Sequence, residues 1–210
     1  MKILCYGDSN TWGYVPNVDG YSKDAVMRQY DAQDCWWYPL MKDNDVIVDG
    51  LCGRCIAHEN KWLKNRNASL TIVDDIQNYK DLDLIIIQLG TNDCKSEYGD
   101  SVGDICDNLE KLLVCIKEQS NAGIIIISPS CIREDTKITQ KYYIGALEKS
   151  ITLNKGYQEL ADKIGCGFIS GAKLEVGEDG EHLTKSGHRK LGEMVASFLI
   201  EKYSDIDCVK

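Results

Sequence analysis

A chain of 210 residues, 43% of them hydrophobic, is sized for one globular domain spanning residues 1–210 with a sizeable core. Its formal net charge of −9, from 24 basic and 33 acidic residues, argues against nucleic acid as a partner, because phosphate binding needs a basic surface. The apolar stretch at the N-terminus is too short for a signal sequence or a membrane span, so the chain is read as soluble and cytoplasmic, with no membrane partner.

The first element expected is a strand over residues 2–6, and it runs directly into Gly7-Asp8-Ser9-Asn10-Thr11-Trp12-Gly13-Tyr14. A serine in a glycine-flanked turn at a strand end is where a nucleophile can be exposed beside the first N–H groups of a helix. The same string also reads as a helix cap, since Asp8 and Ser9 both suit that role. The following segment is aromatic: Trp12, Tyr14, Tyr21, Tyr30, Trp36, Trp37 and Tyr38. These rings could wall an acyl or sugar pocket, with Trp12 and Tyr14 nearest Ser9; they could equally pack a core or a subunit interface, which leaves a homo-oligomer possible. A helix is expected within residues 25–42.

A second strand is expected at 46–49, followed by Gly50-Leu51-Cys52-Gly53-Arg54. Cys52 and Cys55 form a C-x-x-C spacing that suits a redox pair or half a zinc site, but no second pair accompanies it. The ten cysteines are otherwise scattered over strands and helices, as reduced, small apolar residues would be. A continuous Leu/Ile run predicts a strand over 84–89, and Gly90-Thr91-Asn92-Asp93 follows it. A helix over 104–120 carries Ile105, Leu109, Leu112, Leu113 and Ile116 at helical spacing. A strand over 123–128, a helix over 141–164 with Ile144, Leu147, Ile151, Leu160 and Ile164 as its inner stripe, and a strand over 167–169 come next. Asp179-Gly180-Glu181-His182-Leu183 precedes a last helix over 184–203, with Thr184 as its cap.

Strands alternating with helices predict an α/β fold, a three-layer α/β/α sandwich around a five-stranded parallel sheet. Sites in such sheets form at the carboxyl ends of the strands, and the first three polar strings follow a strand while the fourth fills the last loop. Together they supply a nucleophilic site. The Ser9 hydroxyl needs a base to take its proton. His182 is the best candidate, with Asp179 three residues upstream to set its tautomer. His58 lacks a carboxylate at useful spacing, and His188 reads as a surface or packing residue within the last helix. The backbone N–H groups of Ser9 and Gly53 and the side-chain amide of Asn92 are candidate oxyanion donors. Arg54 could contact an anionic substrate or brace its loop. Asp93 reads as a support for its own loop.

The four strings resemble blocks I, II, III and V of the SGNH (GDSL) hydrolases, in order and over residues 7 to 182. Residues 3–16 and 50–54 are similar to the arylesterase/acyltransferase branch of that family. The resemblance implies a flavodoxin-like sheet, no metal and no cofactor. It implies Ser9 as nucleophile, His182 as base, Asp179 as its partner, and Gly53 with Asn92 in the oxyanion hole. Asn10 stands where the family's name has Leu, and Cys52 stands where this branch usually has Ser. The expected activity is hydrolysis of a small-molecule ester with a short acyl group such as acetyl, through an acyl-enzyme, with transfer to another alcohol as a variant. Carbohydrate O-acetyl esters, thioesters and lysophospholipids fit the same machinery. A non-catalytic binding module on the same fold is the expectation from a different class.

Overall fold

The computed structural model describes residues 1–19, 26–61 and 63–203. Its strands are β1 (Lys2–Gly7), β2 (Asp45–Gly50), β3 (Leu84–Gln88), β4 (Gly123–Ile127) and β5 (Gly167–Ile169). They form one all-parallel sheet in the order β2-β1-β3-β4-β5. Each lies within a residue of its expected position at either end. β3 and β4 are almost wholly buried Leu/Ile runs, because a sheet covered on both faces leaves no side of these strands for water.

The helices are α1 (Ser9–Trp12), α2 (Ala68–Tyr79), α3 (Val102–Gln119), α4 (Lys137–Tyr142), α5 (Ala146–Ile164) and α6 (Lys185–Tyr203). Alternate residues of each strand serve opposite cores. Leu4, Tyr6, Ile85 and Ile87 join Ile72 of α2, Leu109 of α3 and Leu153 of α5 on one face. Ile3, Cys5, Leu84 and Ile86 meet Trp36, Trp37 and the α6 residues Leu191 and Val195 on the other. The three-layer α/β sandwich is thereby complete. Among the described residues no helix is long and apolar enough to cross a membrane.

Three expectations need correction. The helix placed over 141–164 is two helices, broken at Gly145, whose φ of 76° lies in the left-handed region that glycine tolerates. Its inner stripe also differs: Ile144 is 68% and Ile151 52% exposed, while Ala146, Ser150, Leu153, Tyr157 and Leu160 face the core. Small residues and a tyrosine thus share that face with two leucines. Ser150 Oγ accepts from the Ile132 N–H at 3.0 Å, and Tyr157 Oη donates to the Leu89 carbonyl at 3.1 Å. The helix expected within 25–42 is instead two short 3-10 turns, Ala32–Asp34 and Tyr38–Lys42, with Pro39 lacking the N–H a longer helix would need. Ala25 and Tyr21 lie outside the described residues. Finally, α2 was not anticipated, although Asn67 caps it by accepting from the Ser69 N–H and Ala68, Ile72 and Ile76 line one face.

The register places the site. Gly7 at the end of β1 lies opposite Gly50 of β2 on one side and Gln88 of β3 on the other. Neighbouring strands are roughly 4.8 Å apart, so three polar loops leave the sheet side by side. Between β1 and β3 the strand order reverses, which opens the crevice where ligands bind in doubly wound sheets.

Candidate active site

Ser9 is the first residue of α1. The cap of that helix is Asp8, whose Oδ1 accepts from the Asn10 N–H at 2.8 Å. Asp8 thus takes the capping role and leaves the Ser9 hydroxyl for another partner. That partner is His182: Nε2 and Ser9 Oγ are 2.8 Å apart, though 173 residues separate them in the chain. On the other side of the imidazole, Nδ1 lies 2.8 Å from Asp179 Oδ2. With the carboxylate as acceptor, Nδ1–H donates and Nε2 is left to accept from the hydroxyl.

The loop that carries His182 is held by Asp179 itself. Its Oδ1 accepts from the backbone N–H of Glu181 and His182, and its Oδ2 from the N–H of Asn17. Burial alone would raise the Asp179 pKa, but the bonds from His182 outweigh it and hold the carboxyl below its usual range. For His182 burial pushes the pKa down, and the Glu181, Asp179 and Asp8 carboxylates more than offset it, so the net shift is upward. Glu181 is itself buried, with Oε2 accepting from the Tyr143 hydroxyl and Oε1 3.9 Å from His182 Nδ1.

Gly53 has φ of 81°, a conformation that strains any residue with a Cβ. Asn92 follows β3, and its Nδ2 donates to the Arg54 carbonyl at 3.2 Å, which ties the two loops together. Asp93 braces the same junction by accepting from the Ile56 N–H at 2.9 Å. Burial pushes Asp93 up to about 7 and Asp8 up to about 6, against the bonds each accepts.

The expectation that Arg54 contacts substrate does not match its placement. The side chain is 1% exposed and turned under the sheet edge. Nη1 donates to the carbonyls of Gly7 and Asp49, Nη2 pairs with Asp49 Oδ1 at 2.7 Å, and the guanidinium lies 3.8 Å over the Tyr6 ring. Both terminal nitrogens are thus engaged at the ends of β1 and β2. Tyr14, by contrast, sits at the site: its ring stacks on His182 at 4.3 Å, and Trp12 lies next to it at 6.3 Å. Trp36 and Trp37 belong to the core, the latter donating to the Thr11 carbonyl at 2.8 Å.

The remaining sequence candidates have partners other than Ser9 and His182 or pack as uncharged groups. His58 does have a carboxylate after all, Asp100 at 2.6 Å, brought in from 42 residues downstream. His188 is fully buried, edge-on to Tyr30, and burial pushes its pKa down to about 4, so it packs as a neutral ring. Cys52 and Cys55 are both free, and burial raises both thiols, Cys52 to about 12. A raised pKa disfavours the thiolate that redox chemistry requires. The bracing role of Arg54 was one of the two readings its loop position offered, whereas the Asp100 partner of His58, 42 residues away, left no sequence signal because only folding brings the two together.

The profile of the GDSL-like lipase/acylhydrolase family matches residues 5–190. The chain belongs to that family. It is therefore a serine ester hydrolase of the SGNH kind. Among solved structures it is similar to the aryl esterase of M. smegmatis, at 26% identity over 95% of this chain and 98% of that one, with a TM-score of 0.87. It is also similar to a carbohydrate acetylesterase family member from Sinorhizobium meliloti, at 28% identity over 96% and 98% of the two chains, with a TM-score of 0.85. A lipase/acylhydrolase from Enterococcus faecalis, at 20% identity over 96% of each chain and a TM-score of 0.70, shares the fold. No curated protein sequence matches the chain significantly.

Proposed function

We propose that this esterase cleaves small esters of short acyl groups, acetyl esters first, with Ser9 as nucleophile, His182 as base and Asp179 as its partner. The observation that carries the reading is the unbroken line from Asp179 Oδ2 through both imidazole nitrogens to Ser9 Oγ, 2.8 Å at each step. Nucleophile, base and orienting carboxylate stand in the order acyl transfer needs. Similarity to an aryl esterase and to a carbohydrate acetylesterase family member supports the choice of substrate.

Ser9 Oγ attacks the ester carbonyl as His182 Nε2 takes its proton. The carbonyl oxygen becomes an oxyanion held by the N–H groups of Ser9 and Gly53 and by Asn92 Nδ2, whose second hydrogen remains after the bond to Arg54. His182 returns the proton to the leaving alkoxide, giving the free alcohol and an acyl-Ser9 ester. Water, deprotonated by the same nitrogen, then releases the acid and restores the hydroxyl. Trp12 and Tyr14 wall the substrate side of this centre.

A fluorophosphonate tests the reading directly, because an unactivated serine reacts poorly with it. Stoichiometric labelling mapped to Ser9 is the expected result. An unlabelled protein would instead favour a non-catalytic module. The pH profile offers a second check. Only neutral His182 can act as base, so kcat/KM falls as pH drops through the imidazole pKa. That pKa is raised above the ordinary 6.5, placing the acid limb above that value. Glu181→Gln removes one of the carboxylates responsible and is expected to move the limb to lower pH. An unmoved limb would show that Glu181 does not face the imidazole.

A further inference from the structure

Asn10, the residue after the nucleophile, is 3% exposed and lies within the short helix α1. Its side chain does not cap that helix. Instead it crosses to the loop that carries the base. Oδ1 accepts from the Leu183 N–H at 2.8 Å, and Nδ2 donates to the Glu181 carbonyl at 3.4 Å. Those two residues flank His182. The Asn10 N–H is in turn held by Asp8 Oδ1, which fixes the amide at its root as well as its tip. Ser9 and His182 are therefore the middle residues of two tripeptides, 8–10 and 181–183, and one side chain ties the tripeptides together.

We propose that Asn10 is a positioning residue, clamping the backbone on both sides of His182 so that Nε2 stays within hydrogen-bond reach of Ser9 Oγ. The amide suits this work because it is the neutral group that offers an acceptor and a donor at the same end. The Leu183 N–H and Glu181 carbonyl it satisfies face the interior, where an unpaired backbone group is costly. Leucine, the residue in the letters of the GDSL motif, offers neither atom, so the clamp is a property of this chain's own residue. The neighbouring bonds do not replace it: Asp179 holds the loop through the N–H groups of Glu181 and His182, on the far side of the imidazole from Ser9. Loss of the clamp lets the loop carrying His182 drift from α1. Drifts on the order of 1 Å in reacting groups cost up to ~10²-fold in rate.

The proposal rests on Ser9 and His182 being the reacting pair, so Ser9→Ala is assayed beside the Asn10 variants. With nitrophenyl acetate above the acid limb, Asn10→Leu is expected to lower kcat by ~10–10²-fold, with KM little changed and the thermal midpoint lowered, because the Leu183 N–H and Glu181 carbonyl lose their partner. The rate of fluorophosphonate labelling should fall by the same factor. Asn10→Asp keeps the acceptor for the Leu183 N–H and is expected to retain more kcat than Asn10→Leu. Turnover retained by Ser9→Ala would overturn the underlying reading. Turnover abolished by Ser9→Ala but intact in both Asn10 variants would overturn the clamp alone, as would a change confined to the thermal midpoint or to KM. Should Asn10→Leu not fold, amide hydrogen exchange in the unaltered protein decides: protection at Leu183 is expected, and free exchange there would overturn the clamp.

Discussion

Ser9→Ala is expected to lower kcat for nitrophenyl acetate by ~10⁴–10⁶-fold, the range seen when a serine nucleophile is removed from a working triad. The reason lies in the geometry. The hydroxyl is the group His182 Nε2 faces at 2.8 Å, and no other hydroxyl is bonded to that nitrogen among the described residues. Oxyanion donors survive the substitution, so a small residual rate over water is expected. The fold should be little affected. Asp8, not Ser9, caps α1, and the lost hydrogen bond is worth only about 1 kcal/mol. Steady-state kinetics with a thermal melt on the same sample check both halves. Turnover within tenfold of the unaltered enzyme would remove Ser9 from the reaction. An unfolded protein would show that its role is structural.

Arg54→Ala is expected to destabilise the protein by ~3–5 kcal/mol, the range for a buried ion pair broken from one side. Truncation leaves the Asp49 carboxylate, 12% exposed, with the Tyr79 hydroxyl but no cation, and leaves the Gly7 and Asp49 carbonyls without the guanidinium that now serves them. It also removes the stacked face over Tyr6. For a domain of this size the melting midpoint should drop by roughly 6–20 °C. Activity should fall as well, because the Arg54 carbonyl orients the Asn92 amide and Gly53 immediately precedes it. Arg54→Lys is expected to recover little, since an ammonium cannot reproduce the planar fork across two carbonyls and a carboxylate. Denaturant unfolding within 1 kcal/mol of the unaltered protein would refute the brace. A rise in KM confined to anionic esters, with stability intact, would return Arg54 to substrate binding.

The strands were legible in the sequence because a parallel sheet buried on both faces demands continuous apolar runs, and residues 84–88 and 123–127 supply them. α3 and α6 were legible for the same kind of reason, a large apolar stripe at helical spacing, with Thr184 accepting from the Gly187 N–H at the start of α6. α5 was misread because Ala146, Ser150 and Tyr157 share its core face with Leu153 and Leu160, while Ile151 points outward and Ile144 precedes the helix. Periodicity finds large apolar residues, and close helix packing selects small ones. The segment over 25–42 was misread because its aromatics pack from turns, without helical order.

The chemistry of the site divides the same way. Ser9, Gly53, Asn92, Asp179 and His182 could be named from the chain alone, because strand-following loops in a parallel sheet converge on one edge whatever the side chains are. Sequence determined the residue types present at that edge and, through them, the reaction class. Only the tertiary structure decided what each group does with its neighbours. Asp8 took the cap and left Ser9 free, Arg54 turned inward to Asp49, Asp100 reached His58, and Asn10 reached across 171 residues to the loop of His182. Strand positions follow from local apolar runs, whereas the Asp100 and Asn10 pairings join segments 42 and 171 residues apart, whose register exists only once the sheet has formed.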